Sequence, residues 1–319
     1  MASEAHIIGA NPEAFKRAAA CLKQGGLVGL PTETVYGLAA YALNDEAVQR
    51  VYKVKNRPTY NPLIAHILRP EDVHKLAHVS PLAQTLIKAF WPGPLTLVLP
   101  RKPECNVSQY AGAGLETIAV RCPDVPWAQA FIEAGFNGPL VMPSANLSGR
   151  ISPTLAAHVA ADFGANVDII IDGGPCAGGV ESTVISVNGK EATLLRPGPI
   201  PFIEFAPYIS DLRLPVKEAK PIAPGMLKSH YAPRAAVRLN AMERQEGEAY
   251  LAFGTCSFDT DGQLSITGDL AEAARNLYAN LRDLDRNDIH TIAIAPIPEE
   301  GIGAAINDRL RRAAADRSE

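Results

Sequence analysis

Apolar positions along the chain alternate between helical and strand-like periods, which is the pattern of a sheet with helices packed on it. Asn11 followed by Pro12 is a cap and first-turn pair, and Phe15, Ala18, Ala19 and Leu22 recur at helical spacing until Gly25 and Gly26 stop them. Residues 27–30 read as a short buried strand running into the hydroxyl-rich turn Pro31, Thr32, Glu33, Thr34. Asn44 or Asp45 caps a second helix whose Ala47, Val48, Val51 and Tyr52 share one face. Pro58 disfavours helical geometry at Arg57, so Lys55, Asn56 and Arg57 are expected to be extended. Helices are expected at 70–77, 81–90 and 126–134, with strands at 117–120 and 140–142. Ser152 with Pro153 predicts a helix that continues through Phe163. The apolar run 167–171 predicts a strand covered on both faces at the sheet centre, and Asn188 with Gly189 predicts a hairpin between 183–187 and 192–195.

From Pro199 to Pro233 prolines recur without a sustained period, which marks a linker. Beyond it lie strands near 237–239, 250–253 and 290–295, a helix at 270–284 and a closing helix. The fold class is therefore α/β, a mixed twisted sheet with flanking helices plus a smaller C-terminal α/β unit. The expected boundaries are 1–208 for the main domain, 209–233 for the linker and 234–319 for the small domain. A length of 319 residues agrees with two domains.

Composition narrows the function classes. Apolar residues make up 47% and charged residues 20%, so the chain should fold. A net charge of −4 argues against a surface that neutralises many nucleic-acid phosphates, so any anion site must be concentrated. The five cysteines are scattered and form no CxxC pair, which indicates neither a disulfide framework nor a zinc site and fits a reducing compartment. The first ten residues lack a signal-peptide pattern, and no apolar stretch approaches the roughly eighteen residues needed to span a bilayer. A cytoplasmic location without membrane partners is expected.

The candidate chemistry begins with two spaced pairs. Side chains two apart on extended backbone point the same way, so Lys55 with Arg57, and Ser144 with Asn146, would each face one side. Two adjacent cations suit a polyphosphate; taken alone, the same spacing also fits a solvated loop, and the hydroxyl-rich segments fit capped turns. The usual phosphate signatures are missing: there is no GxxxxGK[ST], and the AGAG at 111–114 lacks the third glycine of a dinucleotide fingerprint. His74 and His78 are four apart on an expected helix, but without HExxH or a third ligand they read as a solvated face, not a metal site.

Taken in order, PTETVYGL (31–38), KNRPTYNPLIAH (55–66), WPGPLTLVL (91–99), PSANLSG (143–149), IDGG with ESTV (181–184) and LLRPG (194–198) closely resemble the threonylcarbamoyl-AMP synthase family, with its YrdC-like fold. The APGMLKSHYAP stretch (223–233) and the α/β tail resemble the long form of that family, with a linker and a Rossmann-like C-terminal domain. The resemblance implies a nucleotidyltransferase that converts L-threonine, bicarbonate and ATP, with Mg2+ brought by ATP, into threonylcarbamoyl-AMP and pyrophosphate. The product would feed the threonylcarbamoyl modification of adenosine 37 in tRNA through separate transfer proteins, with no stable nucleic-acid binding by this chain.

Carried over by position, the resemblance implies ATP contacts at Lys55, Arg57, Asn61, Thr117, Ser144, Asn146, Ser152, Arg196 and Tyr231, with Lys55 and Arg57 as the catalytic cations. It implies threonine contacts at Thr34, His66, Arg121, Met142 and Ser182, and a linker that acts as a lid through Tyr231. Pro143 and Val125 depart from the family's usual hydroxyl and histidine. Two competing readings are a carbamoyltransferase that uses a carbamoyl-adenylate and a non-enzymatic RNA-binding module.

Overall fold

A computed structural model of the chain describes residues 6–214 and 230–316. The first unit runs β1 (Ile7–Gly9), α1 (Pro12–Lys23), β2 (Val28–Leu30), β3 (Gly37–Tyr41), α2 (Asp45–Lys55), β4 (Ile64–His66), α3 (Pro81–Phe90), β5 (Leu95–Pro100) and β6 (Thr117–Arg121). It continues with α4 (Pro126–Glu133), β7 (Leu140–Val141), α5 (Ala156–Phe163), β8 (Ile169–Asp172), β9 (Thr183–Asn188), β10 (Glu191–Arg196) and β11 (Leu212–Arg213). These strands form one mixed eleven-stranded sheet in the order β1-β8-β2-β3-β7-β4-β6-β5-β9-β10-β11. The second unit contains β12 (Ala236–Arg238), β13 (Glu248–Ala252), β14 (Gly262–Gln263), α6 (Leu270–Leu284), β15 (Thr291–Ile294) and α7 (Gly303–Ala313). Its four strands, ordered β12-β15-β13-β14, are all parallel.

Local chemistry explains most of these elements. Asn44 caps α2 by accepting from the Ala47 amide at 3.0 Å. The other end of α2 corrects the expectation of an extended 55–57 segment. Lys55 is the last helical residue, Asn56 turns left-handed at φ 50°, and Arg57 N–H closes back on Tyr52 O at 2.9 Å. The restriction imposed by Pro58 acts on Arg57 alone, one residue after the helix has already stopped.

Three other expectations change. The helix placed at Ser152 starts at Ala156, because Pro153 O accepts from Tyr36 N at 2.9 Å and Ser152 bonds Glu181 instead of capping. The apolar run in β8 lies next to the sheet edge, between β1 and β2, not at its centre. Ile169 and Ile171 pack with α1 while Ile170 packs with α5, so both faces are covered without the strand being central. Residues 70–75 form a 3-10 turn, which removes the helix face shared by His74 and His78, and among the described residues no His, Cys, Asp or Glu cluster could hold a metal.

The hairpin forms as expected, with β9 and β10 antiparallel and Gly189 at φ 61°. Strand β11 pairs with β10, so the chain stays with the first sheet through Arg213. Of the expected linker, 215–229 lies outside the described residues. The two units share a core in which Val35, Ile151, Val180 and Tyr231 pack with Ala274, Leu277, Tyr278, Ile306 and Leu310.

Candidate active site

Sheet register gathers the site. His66 at the end of β4 is the partner of Arg121 at the end of β6, Arg121 of Thr96 on β5, Thr96 of Val184 on β9, and Val184 of Arg196 on β10. Partners across a ladder share a face, so these five residues form one row across five strands, roughly 19 Å long at the usual strand spacing. Alongside the row on the same face, Ile64, Val98 and Ala119 join Val184 of the row and Leu195 in an apolar strip that packs against it.

Near one end of the row Arg121 is buried, with Nε and Nη1 hydrogen-bonded and Nη2 only ion-paired. Its Nε donates to Gly93 O at 3.3 Å, its Nη1 to Thr34 Oγ1 at 3.0 Å, and its Nη2 lies 2.7 Å from Glu33 Oε1. That last approach is close but lies off the line of a hydrogen bond, and Glu33 Oε2 has no hydrogen-bond partner among the described residues either. Thr32 Oγ1 donates to Val35 O at 2.6 Å, so Thr34 must donate to Thr32 at 2.8 Å while accepting from Arg121. The guanidinium edge is thus held ready for a planar carboxylate. His66 bonds Ile64 O through Nδ1 at 3.2 Å, which assigns the proton to that nitrogen. Burial first, then the Arg121 charge, pushes this imidazole down to about 3, so it stays neutral. Met142 and Ser182 complete this side of the wall.

At the other end Arg196 donates to Ser182 O at 3.1 and 3.0 Å and to Ser182 Oγ at 3.1 Å, and Ser182 Oγ also meets Thr96 Oγ1 at 2.7 Å. Gly198 allows this loop to close, since a Cβ there would lie 2.3 Å from Thr183 N. Arg57 donates to Asn61 O at 3.0 Å, Asn61 Oδ1 at 2.6 Å and Pro62 O at 2.8 Å, and burial lowers its pKa to about 10. Ser144 reaches the wall through a bridge to Gly37.

Arg57, Ser144, Arg196, Tyr231, Thr34, His66, Arg121, Met142 and Ser182 therefore line one cavity. Lys55, Asn61, Thr117, Asn146 and Ser152 do not. Lys55 lies beneath the wall, its Nζ donating to Ser144 O at 2.6 Å and to Asn146 O, and burial drives its pKa well down. It shapes the PSAN loop from behind. Asn61 and Asn146 are braces; Asn61 Nδ2 and Asn146 Oδ1 are buried without a hydrogen-bond partner among the described residues, the sort of polar group a ligand satisfies. Thr117 begins β6, about 13 Å along the strand from Arg121. Ser152 donates to Glu181 Oε1 at 2.5 Å.

Sequence reasoning missed Glu33, Glu181, His230 and Arg309. His230 lines the cavity beside Tyr231, and the His230 Nδ1 and the Tyr231 hydroxyl are buried there without a hydrogen-bond partner among the described residues. Tyr231, at φ 62°, stacks on Tyr278 with 5.9 Å between ring centroids. The remaining cavity is about 50 Å³, room for a few waters but not for a nucleotide, which needs several hundred Å³. A wider groove of about 820 Å³ on the far side of Arg57 is walled by Tyr60, Tyr110 and Gln49, with Lys53 as its other cation, and lacks the converging cations of the row.

The Sua5_yciO_yrdC family model, described as "Telomere recombination", matches residues 20–198, more than half of the chain. The chain belongs to this family. A second family model, Sua5_C, described as "Threonylcarbamoyl-AMP synthase, C-terminal domain", matches residues 200–315. The resemblance carried by the ordered motifs is borne out. Relatives named threonylcarbamoyl-AMP synthase include those of Pyrococcus abyssi, 42% identical over 93% of this chain and 92% of its own, and Bacillus subtilis, 41% identical over 96% and 94%. The crystal structure of P. abyssi Sua5 complexed with L-threonine superimposes with a TM-score of 0.88 at 40% identity, covering 97% of each chain. E. coli YciO, at 23% identity and TM-score 0.54 over 61% of this chain, shares the fold of the first unit. The mixed sheet with a second small parallel sheet is thus the family architecture.

Proposed function

We infer that this chain is an L-threonylcarbamoyl-AMP synthase, joining L-threonine, bicarbonate or CO2, and ATP into threonylcarbamoyl-AMP with release of pyrophosphate. The observation that carries this reading is the one cavity that gathers a carboxylate-binding side, Arg121 with Thr34, and a polyanion-binding side, Arg57 with Arg196, the two row arginines being set by sheet register. The threonine amine attacks CO2 and loses a proton to give a carbamate. A carbamate oxygen then attacks the α-phosphorus as the bond to the β-phosphate oxygen breaks, so no enzyme nucleophile is needed.

Charge moves onto the leaving phosphates in that step, where Arg57 and Arg196 stabilise it through preorganised electrostatics. Lys55 contributes by holding the Ser144 and Asn146 carbonyls. Neutral His66 adds no competing positive charge beside the threonine carboxylate. Magnesium fits as a companion of the phosphates: the carboxylate lining the cavity, Glu181, already accepts from Ser152, Tyr278 and Arg309. Tyr231 and His230 must move aside to admit ATP and close again to keep water from the carbamate.

Among the described residues no helix is long and apolar enough to cross a membrane, and we place the enzyme in the cytoplasm. Its product would pass to tRNA threonylcarbamoyl-transfer proteins for modification of adenosine 37. The carbamoyltransferase and RNA-binding readings are not favoured, because relatives matching more than nine-tenths of the chain carry the synthase name. Pyrophosphate release should require all three substrates, tested by omitting threonine, bicarbonate and ATP in turn. Release that persists without threonine, or steeply salt-dependent tRNA binding in a chain that releases none, would overturn the reading.

A further inference from the structure

Glu181 stands where the two units meet and belongs to the wall of the cavity. Its Oε2 accepts from Arg309 Nε on α7 at 2.7 Å, its Oε1 from Ser152 Oγ at 2.5 Å, and the Tyr278 hydroxyl on α6 lies 3.0 and 3.2 Å from the two oxygens. Arg309 is 1% exposed and reaches further. Its Nη2 donates to Pro197 O at 3.0 Å and Glu181 O at 3.4 Å, the backbone just beyond Arg196 and just before Ser182. Its Cζ stands 5.2 Å from the centre of the Tyr231 ring. Gly179 makes the approach possible: at φ 71°, a Cβ there would fall 2.1 Å from Ala274 O on α6.

We propose that Arg309 of the C-terminal unit is a positioning residue of the synthase site, fixing Glu181 as the acceptor of the Ser152 hydroxyl, bracketing Ser182 and Arg196, and seating Tyr231. The inference rests on the function assigned above and gives the C-terminal unit a part in it. One cation ties the substrate-facing loops of the first unit to the aromatic closure, so a loss at Arg309 is felt where the nucleotide and Tyr231 meet.

The groups facing Glu181 make the role testable by pH. They are Arg309 and Asp308 on α7, Tyr278 on α6, Arg196 on β10, Ser152, and the His230 and Tyr231 pair. Burial alone would raise this carboxyl, but Arg309 and then Arg196 hold it down to about 2. Without Arg309 the buried carboxyl is pushed back up, and once protonated it becomes a donor that accepts from Ser152 and Tyr278 far more weakly.

The experiment compares threonine-dependent pyrophosphate release from pH 6 to 9 for the full-length chain and its R309M, R309K and R309M/E181Q variants, with thermal melts to establish folding. R309M should lose about tenfold or more in kcat/KM for ATP near pH 6 and recover as pH rises, an acid limb that the parent lacks. R309K should keep more activity than R309M, and R309M/E181Q should be slow at every pH with no added limb. A folded R309M with the parent's profile and a kcat/KM within twofold would overturn the proposal. If R309M does not fold, the double variant decides, because removing both buried partners leaves no uncompensated charge: a tenfold loss supports the role and parental activity refutes it. A parent that releases no pyrophosphate sinks the functional reading, and this inference with it, whereas an active parent matched by R309M sinks the inference alone.

Discussion

Acidification should destabilise this protein chiefly through its two most deeply buried histidines, with half-buried His158, lowered to about 4 by burial and then Arg282, adding to the loss. His66 and His230 are 2% and 6% exposed. Burial, reinforced by Arg121 at His66 and by Arg57, Lys55 and Arg196 at His230 against the opposing pull of Glu181, lowers both from 6.5 to about 3. The folded state keeps them neutral while the unfolded chain takes up protons below pH 6.5, so the unfolded state binds more protons and stability falls as pH drops. At pH 5, 1.5 units below 6.5, each histidine costs about 2 kcal/mol at about 1.4 kcal/mol per unit, and the pair about 4 kcal/mol. Glu181, held down to about 2, keeps its charge throughout this window. Urea unfolding at pH 7, 6 and 5 should show this loss, nearly all of it below pH 6.5, with an unchanged m-value. A His230→Gln variant should recover about 2 kcal/mol of the loss at pH 5. A stability at pH 5 within about 1 kcal/mol of that at pH 7 would refute the burial of neutral histidines in the site.

Lys55→Met keeps the stem and removes the amine from the Ser144 and Asn146 carbonyls, so it should cost about 2–4 kcal/mol in denaturant unfolding as well as weaken ATP binding. Arg121→Lys loses the planar fork and should raise KM for threonine about tenfold or more in the pyrophosphate assay, with KM for ATP changed less than about twofold. Tyr231→Ala should lower stability by about 3 kcal/mol and increase the share of consumed ATP not recovered as threonylcarbamoyl-AMP by chromatography; parental coupling would show that the ring does not close the site.

Much of the site could be read from the chain because its residues sit in contiguous motifs at strand ends. PTETVYGL, PSANLSG and ESTV each deliver a wall residue, and the β9–β10 hairpin follows from Asn188 and Gly189. The failures have local causes. The expectation that 55–57 is extended gave way to a left-handed Asn56, which ends α2 and sends Lys55 behind the wall while Arg57 enters it. Ser152 resembled a helix cap because the sequence does not show that a carboxylate 29 residues later claims its hydroxyl. Arg309 in the closing helix was not singled out; the missed signal is that it falls on the stripe of Ala305, Ile306, Leu310 and Ala313, where a charge demands a buried partner.

Periodicity, caps and ordered motifs in the sequence determined the α/β class, the family resemblance and most of the wall. Tertiary structure alone decided which strands lie side by side, and with that the row from His66 to Arg196, the neutrality of the two histidines and the reach of Arg309 across the units. Register and burial arise between segments far apart in the chain, and the electrostatics of a buried group depend on neighbours that only folding supplies.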